Sequence, residues 1–322
     1  MKNAKRILAV LLAAVLLCSA FAGCSPTKDD GKYVIGICQL VKHVALDAAT
    51  QGFIDALTEE LGEENVTFDP QIAGDPSNCP TIVNAFVSKK VDLMLAVATP
   101  ALQSAAAATS EIPILATAIT EYGIALDRTL TDGKTGINVT GTSDLPKLDE
   151  QAAMIKEICP DIKTIGLIYC SSEPNSIYQV EEVAKYLEEL GITATLYSFT
   201  DSNDLPSVVS KAADENEALY VPTDNTAAEN TGLIDAAARP KKVPVFAGEE
   251  GICKGCGIVT LSIDYYKLGR QTGKMAAEIL RDGKDPADMK IQYYPELTKK
   301  YNPTICEELG ITVPDGYVAI TD

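Results

Sequence analysis

Val91-Asp92-Leu93-Met94-Leu95-Ala96-Val97-Ala98-Thr99-Pro100-Ala101-Leu102-Gln103-Ser104-Ala105-Ala106-Ala107-Ala108 decides the fold. Its first seven residues, interrupted only by Asp92, form a short apolar run of the length of a strand buried on both faces. Thr99 then stands where an N-cap belongs, with Pro100 at the first helical position and an alanine-rich helix running to 108. Ile112-Pro113-Ile114-Leu115-Ala116 opens the next strand. A buried strand that passes directly into a helix and then another strand is the unit of a parallel sheet covered on both faces.

The same alternation extends outward in both directions. Upstream, Val34-Ile35-Gly36-Ile37-Cys38 is a strand, and 45–61 is a helix whose Ala45, Ala48, Ala49, Phe53, Ala56 and Leu57 recur at helical spacing. After Pro160 it restarts with a strand at Thr164-Ile165-Gly166-Leu167-Ile168-Tyr169 and an amphipathic helix over 176–190 that Gly191 ends. Segments 193–199, 218–221 and 243–246 continue it. The expectation is an α/β chain of two Rossmann-like lobes with parallel sheets, joined near 141–146 by a short crossover of the kind that suits a hinge.

The first residues set the compartment. Lys2, Lys5 and Arg6 precede an apolar run over 7–17 that is too short and too alanine-rich for a comfortable membrane span. Phe21-Ala22-Gly23 then puts small residues directly before Cys24, the pattern of a lipoprotein signal cleaved ahead of an acylated cysteine. Residues 1–23 therefore read as a signal peptide and 24–31 as a tether, with the mature chain outside the cytoplasm and lipid-anchored through Cys24. The balance of 45 acidic against 27 basic side chains gives −18, which becomes −21 once the three signal cations leave. Nucleic acid is repelled by such a chain, and no basic stripe offsets the charge.

Of nine cysteines, Cys18 leaves with the signal and Cys24 carries lipid, so seven remain and cannot all pair. Cys38, Cys159 and Cys170 lie in or beside apolar segments and read as small core residues. Cys253-Lys254-Gly255-Cys256 is the only C-x-x-C; with a single histidine in the chain it makes a poor zinc site, and a local disulfide or two free thiols are both open.

Polar residues gather right after strands, where open α/β sheets bind ligands: Gln39, Thr99, Thr117, Ser171 with Ser172, Thr223-Asp224-Asn225 and Glu249-Glu250. Any one of them could serve as a mere cap or turn residue; drawn from both units, they point to a shared cleft. At these residues the chain resembles the substrate-binding proteins of ABC transporters of the tryptophan/tyrosine-binding type, with the type I periplasmic-binding-protein fold. The matching segments include Ile35-Gly36-Ile37-Cys38-Gln39-Leu40, His43-Val44-Ala45-Leu46-Asp47, Ala98-Thr99-Pro100-Ala101, Gly141-Thr142-Ser143-Asp144, Ser171-Ser172-Glu173-Pro174-Asn175-Ser176, Tyr220-Val221-Pro222-Thr223-Asp224-Asn225, Val245-Phe246-Ala247-Gly248-Glu249-Glu250 and the run from Ile263 to Gly273. Lys42-His43-Val44 and Glu121-Tyr122 depart from the family's usual Glu-His-Pro and Asp-Pro.

The resemblance implies lobe 1 from 32–141 plus 264–288 and lobe 2 from 142–263 plus 289–322, with ligand between them. It implies an ABC permease and its ATPase as partners, and no cofactor. The mature chain is expected to be a monomer. A zwitterionic amino acid needs donors at one end and acceptors at the other. Thr99, Ser171, Ser172 and the helix start at Ser176 are candidates for its carboxylate, Asp144, Asp224, Glu249 or Asp264 for its ammonium, and Asn175 or Asn225 for either end. His43 or a tyrosine adds ring packing. Through the resemblance, Gln39, Thr117, Ala118 and Ser143 join the expected ligand set. Nothing reads as an enzyme: no G-x-S-x-G is present, His43 has no adjacent acid-base partner, and Gly133-Lys134-Thr135 lacks the first glycine of a phosphate loop. Three functions stay open: an importer's binding protein, for an aromatic amino acid or another small solute, a lipid-anchored adhesin or sensor on the same fold, and an unrecognised hydrolase. Asp224 and Asn225, as residues held at a strand end for a ligand, are expected to contribute little to stability.

Overall fold

The computed structural model describes residues 31–321, so the signal peptide, Cys24 and nearly all of the tether lie outside the described residues. The first lobe is built from β1 (Tyr33–Gln39), α1 (Val44–Leu61), β2 (Val66–Ile72), α2 (Cys79–Lys89), β3 (Leu93–Val97), α3 (Thr99–Ala108), β4 (Ile114–Ile119), the short α4 (Tyr122–Ala125) and β5 (Val139–Ser143). The second lobe follows with α5 (Leu148–Ile158), β6 (Thr164–Cys170), α6 (Pro174–Glu189), β7 (Thr193–Phe199), α7 (Leu205–Glu215), β8 (Ala218–Val221), α8 (Asn225–Glu229), α9 (Thr231–Ala238), β9 (Val245–Ala247), α10 (Glu250–Cys256) and β10 (Val259–Ser262). The chain then returns to the first lobe as α11 (Tyr265–Leu280) and β11 (Gln292–Tyr293), and ends in the second as β12 (Thr298–Tyr301), α12 (Pro303–Leu309) and β13 (Val318–Ala319).

The first sheet runs β11-β5-β4-β3-β1-β2 and is parallel throughout. The second runs β13-β12-β10-β9-β8-β6-β7 and is parallel except where β12 lies antiparallel to β10. Every residue of β3 is buried, as its unbroken apolar run requires of a strand with helices on both faces. The first core joins Ile35, Ile37, Leu93, Leu95 and Leu115 to the α1 and α11 faces, while two further clusters cover the two faces of the second sheet.

Strand pairing moves the expected crossovers. Thr142 and Ser143 still belong to the first sheet, as do Gln292 and Tyr293, because both pairs bond to each other. The first lobe therefore extends beyond 141 and, on its return, beyond 288. Two helix starts also differ. Ala98, at φ 81 and ψ 157, is the residue that precedes α3, so Thr99 sits inside the first turn and caps nothing. The helix expected from Ser176 begins at Pro174, since proline's fixed φ suits a first turn that needs no N–H.

Helices α1 and α11 cross at backbone contact. A methyl group added at Gly269 would lie 1.9 Å from the carbonyl oxygen of Ala49, and one at Gly52 would lie 2.1 Å from that of Tyr266. The returning helix is thereby seated on the first lobe through glycines, and its first residue, Tyr265, is delivered to the cleft. Among the described residues no helix is long and apolar enough to cross a membrane. All seven described cysteines are free, so Cys253 and Cys256 are two buried thiols and not a disulfide.

Candidate ligand-binding cavity

Between the two lobes lies a narrow cavity. The first lobe lines it with His43, Leu46, Ala118, Thr120, Asp144 and Tyr265, and the second with Asn175, Thr223, Asp224, Asn225, Ala228 and Glu249. The placement follows from topology, since each of these segments leaves or follows the carboxyl end of a parallel strand or opens the next helix. His43 precedes α1 in an extended conformation and makes no side-chain cap bond, so its ring is available to the cleft. Ala118 adopts a left-handed φ of 54°, where the register of β4 against β5 shifts. Strain of this kind in a residue with a Cβ is typical of binding sites, and here it turns the end of the strand into the cavity wall.

Asp144, buried immediately after β5, receives the Tyr265 hydroxyl on Oδ2 at 2.9 Å. Its other oxygen, Oδ1, has no partner. Asn175, at the start of α6, donates its amide nitrogen to Glu173, Ser176 and the Thr223 carbonyl, yet its Oδ1 is also without a partner. An orphaned buried acceptor costs about 1–3 kcal/mol, so two of them on residues that line one cavity mark a place suited to a donor.

Asp224 and Glu249 are committed differently. Asp224 accepts from the Cys170 N–H at 2.7 Å and from the Ala227 N–H at 2.8 Å, tying β6 to the start of α8. Glu249 caps α10 through the N–H groups of Gly251 and Ile252. Both still present carboxylate to the cavity, which holds three acids and neither lysine nor arginine. Burial pushes the Asp144 carboxyl up to about 6, against the Tyr265 hydroxyl, the nearby Thr120 hydroxyl and its own backbone N–H. Asp224 is raised by burial and by the neighbouring Glu173. Glu249 is raised by burial, and His43 opposes the shift. Negative charge here is costly until a cation arrives.

Seven of the fourteen expected ligand residues line this cavity: His43, Ala118, Asp144, Asn175, Asp224, Asn225 and Glu249. The other seven do not line it. Gln39 is tied to Val41, Asp47 and Thr50. Thr99 is buried in the first turn of α3, and Thr117 bonds to Thr142. Ser143 donates to the Thr120 carbonyl, Ser171 to that of Phe199, and Ser172 faces the Cys170 thiol. Asp264 caps α11 by accepting the Lys267 N–H. Each of these polar groups has local work to do, and sequence position alone does not reveal it. Leu46, Thr120, Thr223, Ala228 and Tyr265 line it from outside the expected fourteen, although Leu46 follows from the helical spacing of α1, one turn beyond His43. Among the aromatic side chains near these strand ends, Tyr265 lines the cavity, whereas Tyr122 and Phe246 are core.

A cavity shut between two α/β lobes that meet at the carboxyl ends of their strands defines a solute-binding protein of the type I periplasmic architecture. The chain belongs to the family described as ABC transporter substrate binding protein, whose model matches residues 34–321. It is 35% identical to the tyrosine-binding protein of Clostridioides difficile (strain R20291), over 90% of this chain and 88% of that one. It is similar to the ABC domain from Streptococcus pneumonia solved in complex with L-Trp, at a TM-score of 0.85 and 34% identity, covering 90% of this chain and all of that one (100%). Against the ligand-free, open structure of a substrate-binding protein with adhesive properties from Clostridium difficile, the TM-score is 0.68 at 36% identity, covering 90% and 100%.

Proposed function

We propose that this chain is the lipid-anchored, extracytoplasmic capture component of an ABC importer and that its ligand is a free aromatic L-amino acid, held without chemistry between closing lobes. One observation carries the ligand class. Asp144 Oδ1 and Asn175 Oδ1, one on each lobe, are buried acceptors without donors in a cavity that has three carboxylates and no lysine or arginine. An α-ammonium supplies three donors and a positive charge, so it satisfies both oxygens and offsets the cost of the buried acids. Leu46, Ala118, Ala228 and the Tyr265 ring supply an apolar wall for a side chain.

That the chain superposes better on a relative holding L-Trp than on one that is ligand-free and open supports a closed arrangement of these lobes. The names of two relatives, one tyrosine-binding and one solved with L-Trp, support the aromatic class. The small residues before Cys24 support the anchor, and family membership supports the permease and ATPase as partners. The test is thermal melting of the signal-less protein, stripped of co-purified ligand, against the twenty amino acids, sugars, nucleosides and short peptides. A ligand at a hundredfold excess over its Kd stabilises the folded state by about 2.7 kcal/mol. L-tyrosine, L-tryptophan or L-phenylalanine should give the largest shift; a branched-chain amino acid, a sugar or a nucleoside in that place overturns the aromatic assignment. The adhesive properties of one relative favour a second reading, adhesion, which gains if nothing in the panel binds.

A further inference from the structure

We propose that Glu173, which does not line the cavity, is a positioning residue that orients the amide of Asn225 so that its oxygen accepts a hydrogen bond from His43 across the cleft, a latch available only when the lobes are closed. Glu173 is 1% exposed and immediately precedes α6. Five donors converge on its two oxygens. Oε2 accepts from Asn175 Nδ2 at 3.3 Å, from the Asn225 backbone N–H at 3.0 Å and from Asn225 Nδ2 at 2.7 Å. Oε1 accepts from the backbone N–H and the hydroxyl of Thr226, both at 2.8 Å.

A carboxylate so loaded with donors only accepts, so the nitrogen end of the Asn225 amide must face it. The oxygen end is then turned to the first lobe, where it lies 3.3 Å from His43 Nε2. An acceptor in that position requires the proton to be on Nε2. The sequence of constraint runs from Glu173 through Asn225 to the histidine, and no alternative amide orientation satisfies both ends. Because His43 belongs to the first lobe and Asn225 to the second, the bond stabilises the closed state alone. Its loss should therefore appear in ligand release, with association little changed.

The proposal rests on closure around a ligand, and two readouts separate it from the identity of that ligand. The chain has one histidine, so protein made without a polyhistidine tag gives a single imidazole in a nitrogen-15 spectrum. At pH 8 with saturating L-tyrosine, His43 should be the Nε2–H tautomer in the wild type with that proton protected from solvent exchange, and the protection should be lost in Glu173→Gln, whose side-chain amide no longer fixes Asn225. The chain also has no tryptophan, so the emission of L-tryptophan itself reports its release. Release should quicken about fivefold in Glu173→Gln, the equivalent of one neutral hydrogen bond. It should quicken no further when Glu173→Gln is added to Asn225→Ala. Should Glu173→Gln not fold, Glu173→Asp, which keeps the charge but retracts from Asn225, carries the same expectation. An Nδ1–H tautomer in the wild type, unchanged release in the variant, or additive effects in the double variant would overturn the latch. If neither amino acid binds, the aromatic reading fails by itself. The same two measurements are then made with whichever solute of the melting panel binds: a His43 Nε2–H held only in the wild type upholds the proposal, and one that Glu173→Gln leaves unchanged overturns it.

Discussion

Asp144 and Asp224 are both buried carboxylates on the cavity wall, yet their free oxygens differ, and substitutions should separate them. Asp144→Asn replaces a group whose charge burial already penalises, and keeps an acceptor for Tyr265. Ligand affinity should drop at least tenfold while the melting temperature of the unliganded protein holds or rises, measured by calorimetric titration and scanning fluorimetry. Asp224→Ala should instead destabilise by about 1–3 kcal/mol, because it strands the N–H groups of Cys170 and Ala227. That reverses the expectation drawn from its place at a strand end. Chain position marked both residues as cleft residues, but nothing local in the sequence says that Asp224 already has partners for both oxygens whereas Asp144 lacks one. The Ala227 N–H is a local partner of Asp224, but the other comes from β6, 54 residues away, and the partner of Asp144 from α11, 121 residues away. Asn175 is the same case, and Glu173 was legible only as part of a motif, its five donors being supplied largely by a segment 52 residues downstream.

At the scale of elements, the strands β1, β3, β6 and β8 and the helices α1 and α6 were readable, because a buried strand or a one-sided helix writes its period into the sequence. Helix starts were less so. Thr99 looks like a cap, but the turn ahead of α3 is made by the left-handed backbone of Ala98, which side-chain type does not announce. The return of α11 to the first lobe rests on glycines that are ordinary in a helix until the partner is known. Gly269→Ala should destabilise by about 1–3 kcal/mol or more, since the methyl has the Ala49 carbonyl in its way. The comparison is Gly232→Ala in α9, where a methyl meets nothing and the same measurement should show no loss. Equal melting of the two variants would mean that α1 and α11 can part without cost.

The whole molecule is acidic, and its cleft concentrates the cost of that charge. Asp144, Asp224 and Glu249 all have folded-state pKa values raised above their ordinary ones. For such groups the folded state binds protons more tightly than the unfolded state, so protonation stabilises the fold. This contribution is fully present below the ordinary carboxylate range and is lost as pH rises through the folded values, for Asp144 between 3.8 and about 6. Unliganded protein should therefore melt higher at pH 5 than at pH 8, with the difference reduced in Asp144→Asn. A bound ammonium should depress the same pKa values, so binding near pH 6 should release protons, seen as a dependence of the calorimetric enthalpy on buffer.

The central claim, that the closed cavity reads an ammonium through acceptors from both lobes, is tested most directly by calorimetric titration with L-tyrosine and L-tryptophan beside 3-(4-hydroxyphenyl)propionate and indole-3-propionate, which keep the ring and the carboxylate and lack only the amine. At least one of the two amino acids should bind, and its desamino partner should bind at least a hundredfold more weakly, since an unpaired buried carboxylate and amide oxygen are left behind. Equal affinity for an amino acid and its desamino analogue would contradict it.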